Sequence, residues 1–156
     1  MKIYKFDILF QEVPGHISLG FYACGCPLRC QGCHSPELWF EHNGFALTES
    51  LFHSLLDKYG GKISCIVFLG GEWHPQELIQ FLKLSEERGL KTALYTGHED
   101  ISENIKSHLD FLKCGPWIAA RGGLSSPTTN QIFWDVKNKL KLNHMFQQIE
   151  QQKETP

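Results

Sequence analysis

Polar and apolar residues alternate through "MKIYKFDILF", the period-two pattern of a strand with one buried face. This predicts a first strand over Lys2–Phe10. Pro14-Gly15 marks a turn, and a second strand is expected over Ile17–Ala23, with a cysteine-rich loop directly after it. Ser35-Pro36-Glu37 reads as a helix start, with Ser35 as N-cap and Pro36 at the first helical position. Thr48 opens a helix over Glu49–Tyr59 that carries Leu51, Leu55 and Leu56 on one face and stops at Gly60. The period then changes. "SCIVFL" (Ser64–Leu69) is a short continuous apolar run, as expected of a strand covered on both faces. "GGEWHP" interrupts it, and Pro75 opens a helix to about Arg88 with Leu78, Phe81 and Leu82 on one stripe and Gly89 as stop. "KTALYT" (Lys91–Thr96) is the next strand, and Ile101, Ile105 and Leu109 mark a further helix. "DFLKCG" and "NQIFWDV" are the last candidate strands.

Strands alternating with helices predict right-handed βαβ units and a mostly parallel sheet. Ligands bind at the C-terminal ends of such strands. The cysteine loop, "GGE" and "TGH" all fall at that edge, which predicts a shared site. After Val136 the chain turns polar and rich in Gln and Lys. It is therefore divided into a compact domain over residues 1–135 and a polar C-terminal helix or tail over 136–156.

Bulk composition narrows the class without naming a function. The 156 residues suit one core, and 42% hydrophobic with 21% charged residues is an ordinary globular balance. A formal charge of -2 gives no reason to expect nucleic-acid binding, and no apolar run approaches a membrane span. The alternating N-terminus lacks the apolar core of a signal peptide, so a cytoplasmic location is expected. In a reducing compartment clustered thiols serve as metal ligands or redox groups more than as disulfides. Cys65 and Cys114 stand alone in apolar surroundings and read as buried small hydrophobes.

Four of the six cysteines lie in "ACGCPLRCQGCHSP". Cys26, Cys30 and Cys33 are spaced C-x3-C-x2-C, with Cys24 two residues earlier. A structural zinc site wants four ligands, usually in two separated C-x2-C pairs, and there is no second pair. An electron-transfer cluster uses four cysteines. Either a zinc adaptor or a four-cysteine carrier would recruit Cys24 or His34 as the fourth ligand. Three cysteines on a four-iron cube instead leave one iron open, and an open position is what distinguishes a catalytic metal from a closed one. Cys24 then ends the preceding strand and faces the core or the site.

"FLGGEW" follows an apolar strand 37 positions after Cys33. Gly70 and Gly71 permit close backbone approach, and Glu72 offers a carboxylate to an ammonium group, although a tight turn alone would also use two glycines. Thr96 in "YTGH" is either a polar contact or a turn cap. His98 reads as a solvated loop residue, and Trp39, Trp73 and Trp117 as packing groups. The polar loop "GGLSSPTTNQ" offers Asn130 and Gln131 to a bound backbone or a small ligand.

"CPLRCQGC" together with "FLGGEW" resembles the radical S-adenosylmethionine (SAM) superfamily. The resemblance implies an α/β fold, specifically a partial (incomplete) parallel β/α barrel. It implies a [4Fe-4S] cluster on Cys26, Cys30 and Cys33, with SAM chelating the open iron. Gly70, Gly71 and Glu72 match the motif that holds the SAM amino group, and Thr96 falls near the ribose. The position before the third cysteine, often aromatic in the superfamily, is Gly32, so the backbone of Gly32, Cys33 and His34 is the expected adenine contact. "GCPLRCQGCHSPELW", "LKCGPWIAARGGLSSPTTNQIFWDV" and the short chain further resemble the small activases of anaerobic (class III) ribonucleoside-triphosphate reductase. This implies a glycyl-radical-generating enzyme with no catalytic residue beyond the cluster, the alternatives being an activase of another glycyl-radical enzyme or a small-molecule radical SAM enzyme. Its protein substrate would be a glycine loop of the anaerobic ribonucleotide reductase, and its electron donor a low-potential protein such as flavodoxin.

Overall fold

The structure, a computed structural model, describes residues 1–147. The last part of the expected C-terminal helix or tail, residues 148–156, lies outside the described residues. Eight strands form one sheet: β1 (Lys2–Leu9), β2 (Ser18–Ala23), β3 (Phe45–Ala46), β4 (Cys65–Leu69), β5 (Lys91–Tyr95), β6 (Phe111–Cys114), β7 (Ile132–Asp135) and β8 (Leu140–Lys141). The connecting helices are α1 (Glu49–Tyr59), α2 (Pro75–Glu87) and α3 (Glu103–Lys106), and the described residues end in a helical stretch over 144–147, inside the segment expected as a C-terminal helix or tail. The strand order is β3-β1-β2-β4-β5-β6-β7-β8.

The α/β expectation holds, but the sheet is mixed. Only β2, β4, β5 and β6 run parallel to one another. β1 pairs antiparallel with both β2 and β3, and β7 pairs antiparallel with β6 and β8. The reason lies in the connections. A parallel return needs a crossover of a dozen residues or more, usually with a helix. The β1–β2 link is a short turn, in which His16 N donates to Val13 O at 3.0 Å. Between β6 and β7 the chain forms only the 3-10 turn Ala119–Arg121.

Local chemistry accounts for the helices. Thr48 caps α1, its hydroxyl accepting from Leu51 N at 3.2 Å. Gly60 follows in a right-handed conformation, so α1 ends without the left-handed glycine that the sequence suggests. Gly89 after α2 does adopt positive φ, +70°. The helix expected across Ile101–Leu109 contracts to the single turn α3. Leu109 N then bonds to Lys106 O, three residues back, and that tighter turn still buries Ile105 and Leu109. Pro36–Trp39 is a short 3-10 turn, and Ser35 makes no side-chain cap; its N–H lies 3.4 Å from Cys33 Sγ.

Strand alternation separates two cores. On one face α1, α2 and α3 pack Phe52, Leu56, Leu78, Leu82 and Ile105 against Leu19, Phe21, Ile66, Phe68 and Leu94. The centres of the Phe21, Phe52, Phe68 and Phe81 rings step along it, Phe21 to Phe52 at 5.2 Å and Phe52 to Phe81 at 5.0 Å. The other face carries Leu9, Val13, Val67, Ala93, Leu124 and Phe133, covered by loops and by Leu142 and Phe146. Past residue 135 the chain remains on the sheet, because Asn143 accepts from Phe133 N at 3.0 Å and donates to Gln131 O at 2.8 Å.

The candidate cluster and ligand site

The C-terminal ends of β2, β4, β5 and β6 open onto one cleft of about 200 Å³ on the loop-covered face. Its walls include Cys26, Cys30, Cys33, Gly70, Glu72 and Thr96, so six of the residues singled out in the sequence are brought together. Cys24 is fully buried and outside the cleft, against the backbone of Ile3 and Gly44. Gly32 and His34 are exposed on the rim, and Gly71 stands behind the cleft against Met1 and Ala23. A larger cleft of about 640 Å³ lies on the opposite face, over Leu112, Cys114, Ile132 and Trp134. Its floor is apolar, and the chemistry-bearing residues converge in the smaller one.

The cysteine loop is held by its backbone. Gly25 N and Cys26 N both donate to Leu38 O, at 2.8 and 3.0 Å, and Cys33 N donates to Cys30 O at 3.1 Å. Three residues take positive φ: Gly25 (+90°), Arg29 (+44°) and Gly32 (+68°). Arg29 is strained there, and that curvature lets the thiols share a wall. Burial pushes the Cys26 thiol above its ordinary range, while the amides of Leu28 and Arg29, bonded to its sulfur, pull it back. Amide donors at a sulfur suit a thiolate ligand. Among the described residues no group of three His, Cys, Asp or Glu converges on a single-ion position. Three thiols facing one cavity are a donor set of the kind that takes an iron–sulfur cluster.

The "GGE" turn stands opposite. Gly70 and Gly71 have φ of +82° and +110°, so both positions need glycine. Trp73 Nε1 donates to Cys24 O at 3.0 Å and ties this turn to the cysteine loop. Glu72 is buried, its side chain 7% exposed. Desolvation pushes its carboxyl above the ordinary range, opposed by a hydrogen bond from Thr96 Oγ1 to Oε1. Its other oxygen, Oε2, is buried with no partner. Thr96 combines both roles considered for it, since its hydroxyl also accepts from His98 N at 3.0 Å.

The sequence singles out nothing at Lys113 and reads Trp117 only as a packing group. Both line the cleft. Lys113 Nζ donates to Gly115 O at 3.0 Å, and burial lowers its pKa to about 8. The signal was available: in "FLKC" the period-two rule puts Lys113 on the face opposite Leu112 and Cys114. Asn130 and Gln131 both donate to Pro116 O, at 2.9 and 3.4 Å, while Asn130 Oδ1 is buried without a partner and Gln131 lines the cleft.

The sequence profile of a family described as a 4Fe-4S single cluster domain matches residues 14–122. The chain is also 38% identical, over 111 residues, to the pyruvate formate-lyase-activating enzyme of Clostridium pasteurianum. That match covers 64% of this chain and 44% of the relative, so the chain spans under half the length of the curated relative it matches.

Proposed function

We infer that this chain, which belongs to the 4Fe-4S single cluster domain family, is a radical SAM activase that generates a glycyl radical on anaerobic ribonucleoside-triphosphate reductase. Cys26, Cys30 and Cys33 would hold the cluster. The observation that carries the reading is Glu72 Oε2, a buried and unpartnered acceptor in the wall that faces the three thiols. An ammonium group is the partner such an oxygen lacks, and SAM brings one attached to the carboxylate that would reach the open iron. Gly70 permits the close approach, Thr96 fixes the Glu72 carboxylate, and Lys113 offers a cation to the SAM carboxylate.

The four parallel strands run in simple order with the connecting helices α1, α2 and α3 on one face, the winding of a barrel rather than of a doubly wound sheet. This supports a partial barrel of radical SAM type. When bound, the reduced cluster and SAM would supply the radical chemistry, a one-electron cleavage of the S–C5′ bond to methionine and a 5′-deoxyadenosyl group that would accept the hydrogen atom of the partner's glycine Cα as 5′-deoxyadenosine. The chain's own residues orient SAM and exclude water. A low-potential donor such as flavodoxin would return the electron, in a cytoplasmic setting.

A second reading rests on the Clostridium pasteurianum relative, whose name specifies pyruvate formate-lyase. Both readings meet one test. Anaerobic mixtures with class III reductase or with pyruvate formate-lyase are monitored by electron paramagnetic resonance. A glycyl radical on the reductase is expected. A radical on pyruvate formate-lyase alone would reassign the partner, and none on either would remove the activase reading.

A further inference from the structure

We propose that Trp117 is the adenine platform of this site, an aromatic surface brought from the β6–β7 connection to the place that Gly32 leaves bare. This deepens the SAM reading above and rests on it. Gly32 stands next to Cys33 with φ +68°, on the rim of the cleft. An ideal Cβ on Gly32 would lie 3.8 Å from the indole Nε1 of Trp117, in ordinary van der Waals contact. The opposite edge of the indole meets a second glycine: a Cβ on Gly123 would lie 4.0 Å from Cζ3. The His34 ring packs against the same indole, with centroids 4.2 Å apart and an interplanar angle of 51°. Trp117 is thus half-buried between two residues without side chains, and it faces the cavity that holds the cysteines.

The backbone before the indole is fixed. Pro116 O accepts from the side chains of Asn130 and Gln131, and Gly115 N donates to His98 O at 2.7 Å. A clamped aromatic plane loses little entropy when a base stacks on it, and every purine presents a π-face to such a plane. The other tryptophans of the cleft are held differently. Trp73 donates to Cys24 O, which fixes its indole, whereas Trp39 Nε1 is buried without a partner, so that edge is not exposed at the rim. Stacking places the nucleoside end of SAM at Trp117, while Glu72 and the cluster take the amino-acid end. The two halves of one ligand are then read by different strands.

The test separates those halves. Binding of SAM, of 5′-deoxyadenosine and of methionine to the anaerobically reconstituted protein is measured by equilibrium dialysis. Wild type is compared with Trp117→Leu, which keeps apolar volume without a π-face, and with Trp117→Phe. We expect Trp117→Leu to weaken SAM and 5′-deoxyadenosine by about tenfold or more, the range of one base–aromatic stack. Trp117→Phe should restore most of that loss, and methionine binding should not change. Equal binding of both nucleosides by the Leu variant would overturn the platform while leaving the SAM reading intact. Parallel loss of methionine would overturn it by making Trp117 merely structural. Failure of the wild-type protein to bind SAM at all would overturn both readings.

Discussion

Burial sets the behaviour of single residues in the cleft more than charge does. Lys113 is the case with the sharpest consequence. Desolvation brings its pKa down to about 8, from an ordinary 10.5, although Cys114, Cys30 and Glu72 pull it upward. Between those two values the unfolded chain keeps the proton and the folded chain releases it. The unfolded state then binds more protons, so this group's contribution to stability rises with pH across that window. Below about pH 8 the folded protein carries the full cost of a buried ammonium. The thermal midpoint of metal-free wild type should therefore climb relative to Lys113→Met as pH goes from 8 to 10.5, with the variant ahead at neutral pH. A pH-independent difference between the two would mean that the lysine is solvated in solution. An anion at the cleft, such as a ligand carboxylate, should shrink the same difference by pairing with the ammonium.

The cysteine loop acts as a unit, since its positive-φ residues and its bonds to Leu38 O set all three thiols at once. Cys26→Ala, Cys30→Ala and Cys33→Ala should each lose most of the iron and sulfide after anaerobic reconstitution. Cys24→Ala should retain them, because Cys24 is fully buried outside the cleft. Loss in the Cys24 variant alone would reverse the ligand assignment. This loop, the "GGE" turn and the elements β4, β5, α1 and α2 were legible in the sequence, because spacing and period are local properties. Tertiary geometry was not. The antiparallel course of β7 follows a connection that holds only a 3-10 turn and no crossover helix, which no window of residues announces. Trp117 reaches Gly32 from a segment 85 positions away in the chain, and Glu72 Oε2 is orphaned only once Thr96 takes Oε1. Lys113 was readable from alternation, but a lysine in a strand is more often read as an edge residue than as a cavity wall.

At the scale of the molecule, the winding places α1, α2 and α3 on one face and leaves the other to loops, the segment carrying Leu142 and Phe146, and the site. The sheet ends in two-residue strands, β3 and β8, and such short edges offer little to stray pairing. Among the described residues no helix is long and apolar enough to cross a membrane. The fold delivers three thiols, an unpartnered carboxylate oxygen, a lysine and an aromatic plane to one cleft. In the proposed activity such a cleft would bind and orient, leaving the difficult bond-breaking to the cofactors. The most direct test is 5′-deoxyadenosine formation, followed by chromatography after the anaerobically reconstituted and reduced protein is given SAM. The account predicts product above a cluster-free control, without any protein partner. No product above that control would contradict it.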